Sequence, residues 1–218
     1  MPGTNLTREE AAGRAALLHV DGYEVVLDLT TGPTTFRTTT TVRFTARTPG
    51  ADTWIDFVGD AVTSVTLNGR SLDPAQVFAD SRIALPGLAA DNLLVVDAIG
   101  RYTNSGEGLH RFVDPVDGEV YLYSQFEVPD SRRVYAVFEQ PDLKATFTFT
   151  ATVPDHWVVV SNQPAPQPVP AGEGRARWSF EPTPRISSYI TALCAGPYTV
   201  RWDLSLIHIS EPTRRTPI

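Results

Sequence analysis

The sequence predicts an all-β fold, an antiparallel sandwich or set of curved sheets, with one short helix at its start. Three observations carry that expectation. Apolar residues recur at a period of two along most of the chain, turn residues separate those runs at short intervals, and helical periodicity is almost confined to the beginning.

The helix comes first. Thr7-Arg8-Glu9-Glu10 has the Thr-x-x-Glu form of a capping box, and Ala11 to Leu18 supplies helix formers, with Gly13 the weak point. From Tyr23 the period changes: Tyr23, Val25, Leu27 and Leu29 alternate with Glu24, Val26, Asp28 and Thr30 before a Thr-Thr-Gly-Pro turn. Phe36 to Thr45 alternates again, with Phe36, Thr38, Thr40, Val42 and Phe44 on one face and Arg37, Arg43 and three Thr on the other. Two such runs about a turn read as an antiparallel pair with one wet face. Further strands are expected at Trp54–Val58, Val62–Leu67, Leu93–Tyr102 and Val120–Glu127, then at Lys144–Val153, Trp157–Ser161, Arg175–Phe180 and Ser188–Ala192. Asn68-Gly69 is a strong hairpin signal. Gln163 to Gly172, with four prolines, reads as a surface loop.

Composition bounds the function. The 218 residues are 42% hydrophobic, 20% charged and 10% aromatic, enough to bury a core. Lys and Arg total 18 against 25 Asp and Glu, a net charge of -7, which argues against nucleic-acid binding or a polybasic membrane surface. Cys194 is the single cysteine, so neither an intrachain disulfide nor a Cys-rich zinc site can form. The opening residues are too polar for a signal peptide and no apolar run reaches ~18 residues, so a cytoplasmic location is expected.

Self-contained catalytic motifs are missing. His19, His110, His156 and His208 are followed by Val, Arg, Trp and Ile, so H-E-x-x-H does not occur, and neither does G-x-S-x-G. Each histidine reads as a loop or surface residue. Asn104-Ser-Gly-Glu-Gly108 lacks the ending of a phosphate loop and reads as an irregular turn. No catalytic residue and no metal ligand is therefore assigned. One segment is dense in functional residue types. On a strand Gln125 and Glu127 face the same side while Phe126 faces the other, and a carboxylate beside an amide suits an ammonium group with three donors. Alternatively, Glu127 forms a structural ion pair with Arg132 or Arg133.

The run Gln125-Phe-Glu127, Arg132-Arg133 and Phe138-Glu-Gln-Pro141-Asp-Leu-Lys144-Ala-Thr-Phe147 resembles the signature of the aminopeptidase N family of zinc metallopeptidases. Gly106-Glu-Gly-Leu-His110-Arg-Phe-Val-Asp-Pro115-Val-Asp-Gly118, the Leu6-Thr-Arg-Glu-Glu-Ala opening and Ile186-Ser-Ser-Tyr189 resemble the alanyl/lysyl aminopeptidases of actinobacterial type. Two departures, Glu139-Gln140 for Asp-Glu and Val137 for Cys, bear on local packing.

The resemblance implies a saddle-shaped N-terminal β domain over residues 1–203, in which Gln125 and Glu127 hold the free α-amino group of a peptide substrate. It implies zinc as cofactor of the full-length enzyme and none bound by this part. The motifs that bind zinc (H-E-x-x-H) and add a second contact to the amine (G-A-M-E-N) lie downstream in the family, and Met1 is the only Met here. Expected partners are peptides with a free N-terminus and the missing catalytic domain, with no nucleic acid and no membrane. The tail, 204–218, resembles translated sequencing-adapter read-through and is expected to be artefactual and disordered. This part alone is expected to be inactive. It would also expose an apolar face that the catalytic domain covers. Two other readings stay open: a stand-alone β-sandwich that binds peptide termini or a partner, and a carbohydrate-binding sandwich using Trp54, Trp157 and Trp178. Those tryptophans are expected in the core.

Overall fold

A computed structural model describes residues 5–201, so the expectation for 204–218 falls outside the described residues. Helix α1 (Arg8–Leu17) is capped as its sequence predicts: Thr7 Oγ1 accepts from the Glu10 N–H at 3.2 Å, and the Glu10 carboxylate accepts from the Thr7 N–H at 2.9 Å. The chain passes directly into β1 (Leu18–Asp28) and returns after the turn as β2 (Thr35–Ala46). Next come β3 (Thr53–Asp56), β4 (Ala61–Leu67) and β5 (Arg70–Leu72), the last two joined through Asn68 and Gly69. Both hinge residues have positive φ, 54° and 78°, as the two-residue hairpin turn requires.

A one-turn helix, α2 (Pro74–Val77), leads to β6 (Phe78–Ala79), β7 (Arg82–Leu85) and the long β8 (Asp91–Arg101). β9 (Gly108–Val113) and β10 (Val120–Gln125) form a hairpin, followed by a 3-10 turn at Ser131–Arg133. The remainder is β11 (Thr146–Pro154), β12 (Val158–Ser161), β13 (Val169–Pro170), β14 (Arg175–Ser179) and β15 (Leu193–Gly196). The all-β expectation holds.

The strands make three sheets. Eight lie in the order β13-β14-β11-β1-β2-β8-β4-β5, four in the order β12-β15-β10-β9, and three in the order β3-β7-β6. Every named pairing is antiparallel except one: β1 runs parallel to β11, with Gly22 opposite Thr146 and Asp28 opposite Thr152. The period-two pattern sets the core. Val20, Tyr23, Val25 and Leu27 of β1 face inward with Phe36, Val42 and Phe44 of β2 and Phe147 and Phe149 of β11. Each such side chain contributes about 1.5–3 kcal/mol by leaving water. Tyr23 stacks on Phe147 with centroids 4.8 Å apart, and its hydroxyl accepts from the Phe138 N–H at 3.2 Å. Thr40, on the same inward face as predicted, accepts from the Ala136 N–H at 3.1 Å.

Three expectations need correction. Ser188–Ala192 is not a strand: Ser188–Ile190 forms a 3-10 turn, and β15 begins only at Leu193. The turn is fixed by buried polar groups, since Ser188 Oγ donates to Glu139 at 2.6 Å and Thr191 Oγ1 donates to the Ser188 carbonyl at 2.7 Å. The proline-rich loop contains the two-residue β13, paired with β14. Trp157 and Trp178 are buried, as expected. Trp54 is only half-buried, short of the core position expected for it, with the Arg14 and Arg82 guanidinium groups 5.1 Å and 4.5 Å from its ring centre.

Candidate functional site

The site is assembled where the four-stranded sheet ends. β10 ends at Gln125, whose side chain is exposed. Phe126 turns inward at 3% exposure, and Glu127 is exposed again in the turn that follows. Glu127 thus lies just past the strand rather than on it, yet the alternation holds and both polar side chains face outward. They line one open cleft of about 680 Å³, together with Gly106, Glu107, Asp130, Arg132 and Arg133 among others.

Arg133 is paired with two other acids rather than with Glu127. Its Nε donates to Asp130 at 2.6 Å and its Nη2 lies 3.1 Å from Glu107. Arg132 Nε donates to the Pro129 carbonyl at 3.0 Å. No hydrogen bond or ion pair joins the Glu127 carboxylate to another described residue. The structural ion pair that the sequence left open is therefore not formed.

The residues behind the cleft explain why the signature carries a buried polar core. Glu139, 5% exposed, accepts from the Ser131 hydroxyl, from the Arg132 N–H at 2.8 Å and from Ser188 Oγ at 2.6 Å. It thereby fastens the 3-10 turn that bears Arg132 and Arg133. Burial holds its carboxyl above the usual carboxylate range, against the opposing pull of those hydrogen bonds. Gln140 accepts from Arg14 Nε at 3.1 Å and donates to the Ala11 carbonyl at 2.9 Å, so it fixes α1. Arg14 Nη1 reaches Asp56 at 2.8 Å, with side-chain exposures of 0% and 6%. Asp56 also accepts from the Glu139 N–H at 3.1 Å and from Trp54 Nε1 at 3.2 Å. The Glu139-Gln140 departure is thus accommodated, because both longer side chains find partners.

A catalytic metal has no home among these side chains. Among the described residues no group of three or more His, Cys, Asp or Glu is placed to hold an ion, so they do not fit zinc. His19 and His156 lie at the surface beside acids, and His110 Nδ1 accepts from the Gly106 N–H at 3.0 Å. The cleft sets three carboxylates against two guanidinium groups, with one carboxylate unpaired among the described residues and one exposed amide beside it.

The sequence matches the Peptidase M1 N-terminal domain over residues 20–190. The chain belongs to that family. This M1 N-terminal domain is 61% identical over 201 residues to Aminopeptidase N of Streptomyces lividans, covering 91% of this chain and 23% of that protein. It is 47% identical over 75 residues to Aminopeptidase N of Acetobacter pasteurianus, 34% of this chain and 21% of that protein. Aminopeptidase M1-B of Oryza sativa subsp. japonica matches at 28% over 145 residues, 62% of this chain and 16% of that protein. The matched segments therefore cover less than a quarter of each of these relatives.

Within the M1 N-terminal domain, Gln125 and Glu127 line this cleft as sequence neighbours, whereas sequence reasoning missed Gly106 and Glu107, which line it too. The glycine-rich segment is the irregular turn it reads as, and its chemistry appears only once Gly106 and Gly108, at φ of 87° and 65°, bring Glu107 against Arg133.

Proposed function

We propose that this chain is the substrate-holding front part of a zinc-dependent aminopeptidase, and that Gln125 and Glu127 bind the free α-ammonium group of a peptide. The observation that carries this reading is the Glu127 carboxylate, exposed in a cleft and without an ionic partner among the described residues, while both neighbouring acids are held by Arg133. An ammonium group gives such a carboxylate a charge-assisted hydrogen bond and leaves donors for the Gln125 carbonyl oxygen. Closure by a further domain would lower the local dielectric and strengthen the pair. The names of the relatives support the same reaction class. Zinc and the cutting chemistry would belong to residues outside the described ones. The solvent face of the four-stranded sheet, where Val160, Cys194, Tyr123 and His110 stand in register, suits a surface covered by the rest of such an enzyme.

The test is an amide-resolved NMR titration of the 218-residue chain. Alaninamide should shift Gln125 and Glu127, whereas N-acetyl-alaninamide at equal concentration should not. Glu127→Gln, at an exposed position, should abolish the difference. Equal responses to the two ligands would remove the amine reading.

A further inference from the structure

Glu107 lines the same cleft as Glu127, and the loop that carries it is tied to His110. His110 sits on β9, bridged to Thr103, and its ring stacks on Tyr123 with centroids 4.7 Å apart and planes 24° apart. Its Nδ1 accepts the Gly106 N–H at 3.0 Å. Because a backbone N–H can only donate, this nitrogen must be the unprotonated one. The same loop is tied at its base: Thr103 Oγ1 donates to the Glu107 carbonyl, and the Thr103 N–H to the Leu109 carbonyl at 3.0 Å. Gly108 lies so close to Arg133 that an added Cβ would stand 2.8 Å from the Arg133 Cβ. The loop is thus pressed onto Arg133 with the Glu107 carboxylate 3.1 Å from the guanidinium.

This arrangement fixes the sign of the cleft. With Asp130 on one side and Glu107 on the other, the Arg133 cation neither draws in Glu127 nor repels an incoming ammonium group. Were Glu107 to swing away, one of those two compensating charges would leave the cleft and the guanidinium would oppose a cationic ligand. We propose that His110 is a positioning residue for the amine cleft, holding the Asn104–Gly108 loop through its Nδ1 so that Glu107 stays on Arg133. This rests on the amine reading of Gln125 and Glu127.

Three variants of the full chain test it, with amide hydrogen exchange at Gly106 and alaninamide affinity as the two readouts. His110→Phe keeps a ring over Tyr123 and removes the acceptor. It should speed Gly106 exchange about tenfold and weaken alaninamide about three- to fivefold, the order of one neutral hydrogen bond. His110→Asn, which returns an acceptor at similar reach, should restore both. Glu107→Gln should weaken alaninamide by a similar factor and leave Gly106 exchange unchanged. The proposal is overturned if His110→Phe alters neither readout, or if His110→Asn behaves like His110→Phe. It is overturned too if Glu107→Gln binds as well as the parent. Absence of alaninamide binding by the unaltered chain would instead sink the amine reading itself, and this inference with it.

Discussion

Asp56→Ala is the substitution that should unsettle this domain most for its size. Arg14 would be left as a cation with 0% side-chain exposure and no anionic partner, and breaking a buried pair in this one-sided way costs about 3–5 kcal/mol. The Glu139 N–H and Trp54 Nε1 lose their acceptor at the same time. Cation–π contacts remain, since the guanidinium stays 5.1 Å from the Trp54 ring centre and 5.8 Å from that of Phe138. Those contacts temper the loss without cancelling it, so about 4 kcal/mol is expected against a typical total of roughly 5–15 kcal/mol. For a domain of this length that corresponds to a fall in Tm of about 8–16 °C. Urea unfolding followed by tryptophan fluorescence measures it directly. The double variant Arg14→Leu/Asp56→Ala removes the stranded charge and should recover about half of the loss. A cost below about 1 kcal/mol for Asp56→Ala, or a double variant no more stable than the single one, would show that Arg14 is not a buried charge held by Asp56.

The Glu10–Arg82 pair makes acid stability measurable. Arg82, followed by the Thr7 N–H, holds the Glu10 carboxyl down to about 2. A depressed carboxylate contributes above its unfolded value, near 4.3, and loses that contribution as pH falls towards the folded value. With Arg82 and Glu10 12% and 25% exposed, screening limits the pair to about 1 kcal/mol. Glu10→Gln should therefore lose about that much in urea unfolding at pH 5 and almost nothing near pH 2, whereas a deficit unchanged across that range would contradict the pairing. A steric prediction concerns Gly100, where an added Cβ would stand 2.3 Å from Phe36 Cζ. Since Phe36 is fully buried, Gly100→Ala should cost about 1–3 kcal/mol by overpacking, and an unchanged urea midpoint would mean that the ring moves freely.

What the sequence made legible was local. The Thr7 capping box, the Tyr23–Leu29 alternation and the Asn68-Gly69 hairpin each encode their structure within a few residues, and each forms as read. The parallel union of β1 with β11 leaves no such trace, because Gly22 and Thr146 share no turn or spacing that links them. Ser188–Ala192 misleads for a related reason. Its polar residues answer to Glu139 and Tyr135, which lie far away in sequence. Within the site, the period of two shows only that Gln125 and Glu127 face one side, and it is the family resemblance that singles them out for an amine. The place of Glu107 is not legible, since it depends on two glycines in left-handed backbone and on a histidine acceptor across a turn.

The parallel pairing also sets an order of events during synthesis. β1 emerges early and can pair at once with β2, but its other edge waits for residues 146–152. At roughly 5–20 residues per second, the ribosome needs on the order of ten seconds to deliver them. The sheet segment β1-β2-β8-β4-β5 can assemble in that interval, with β8 inserting between β2 and β4, and presents a bare strand edge until β11 arrives. A pause or a premature stop between Arg101 and Thr146 would leave that edge open, and the nascent chain would then be a template for pairing with its neighbours.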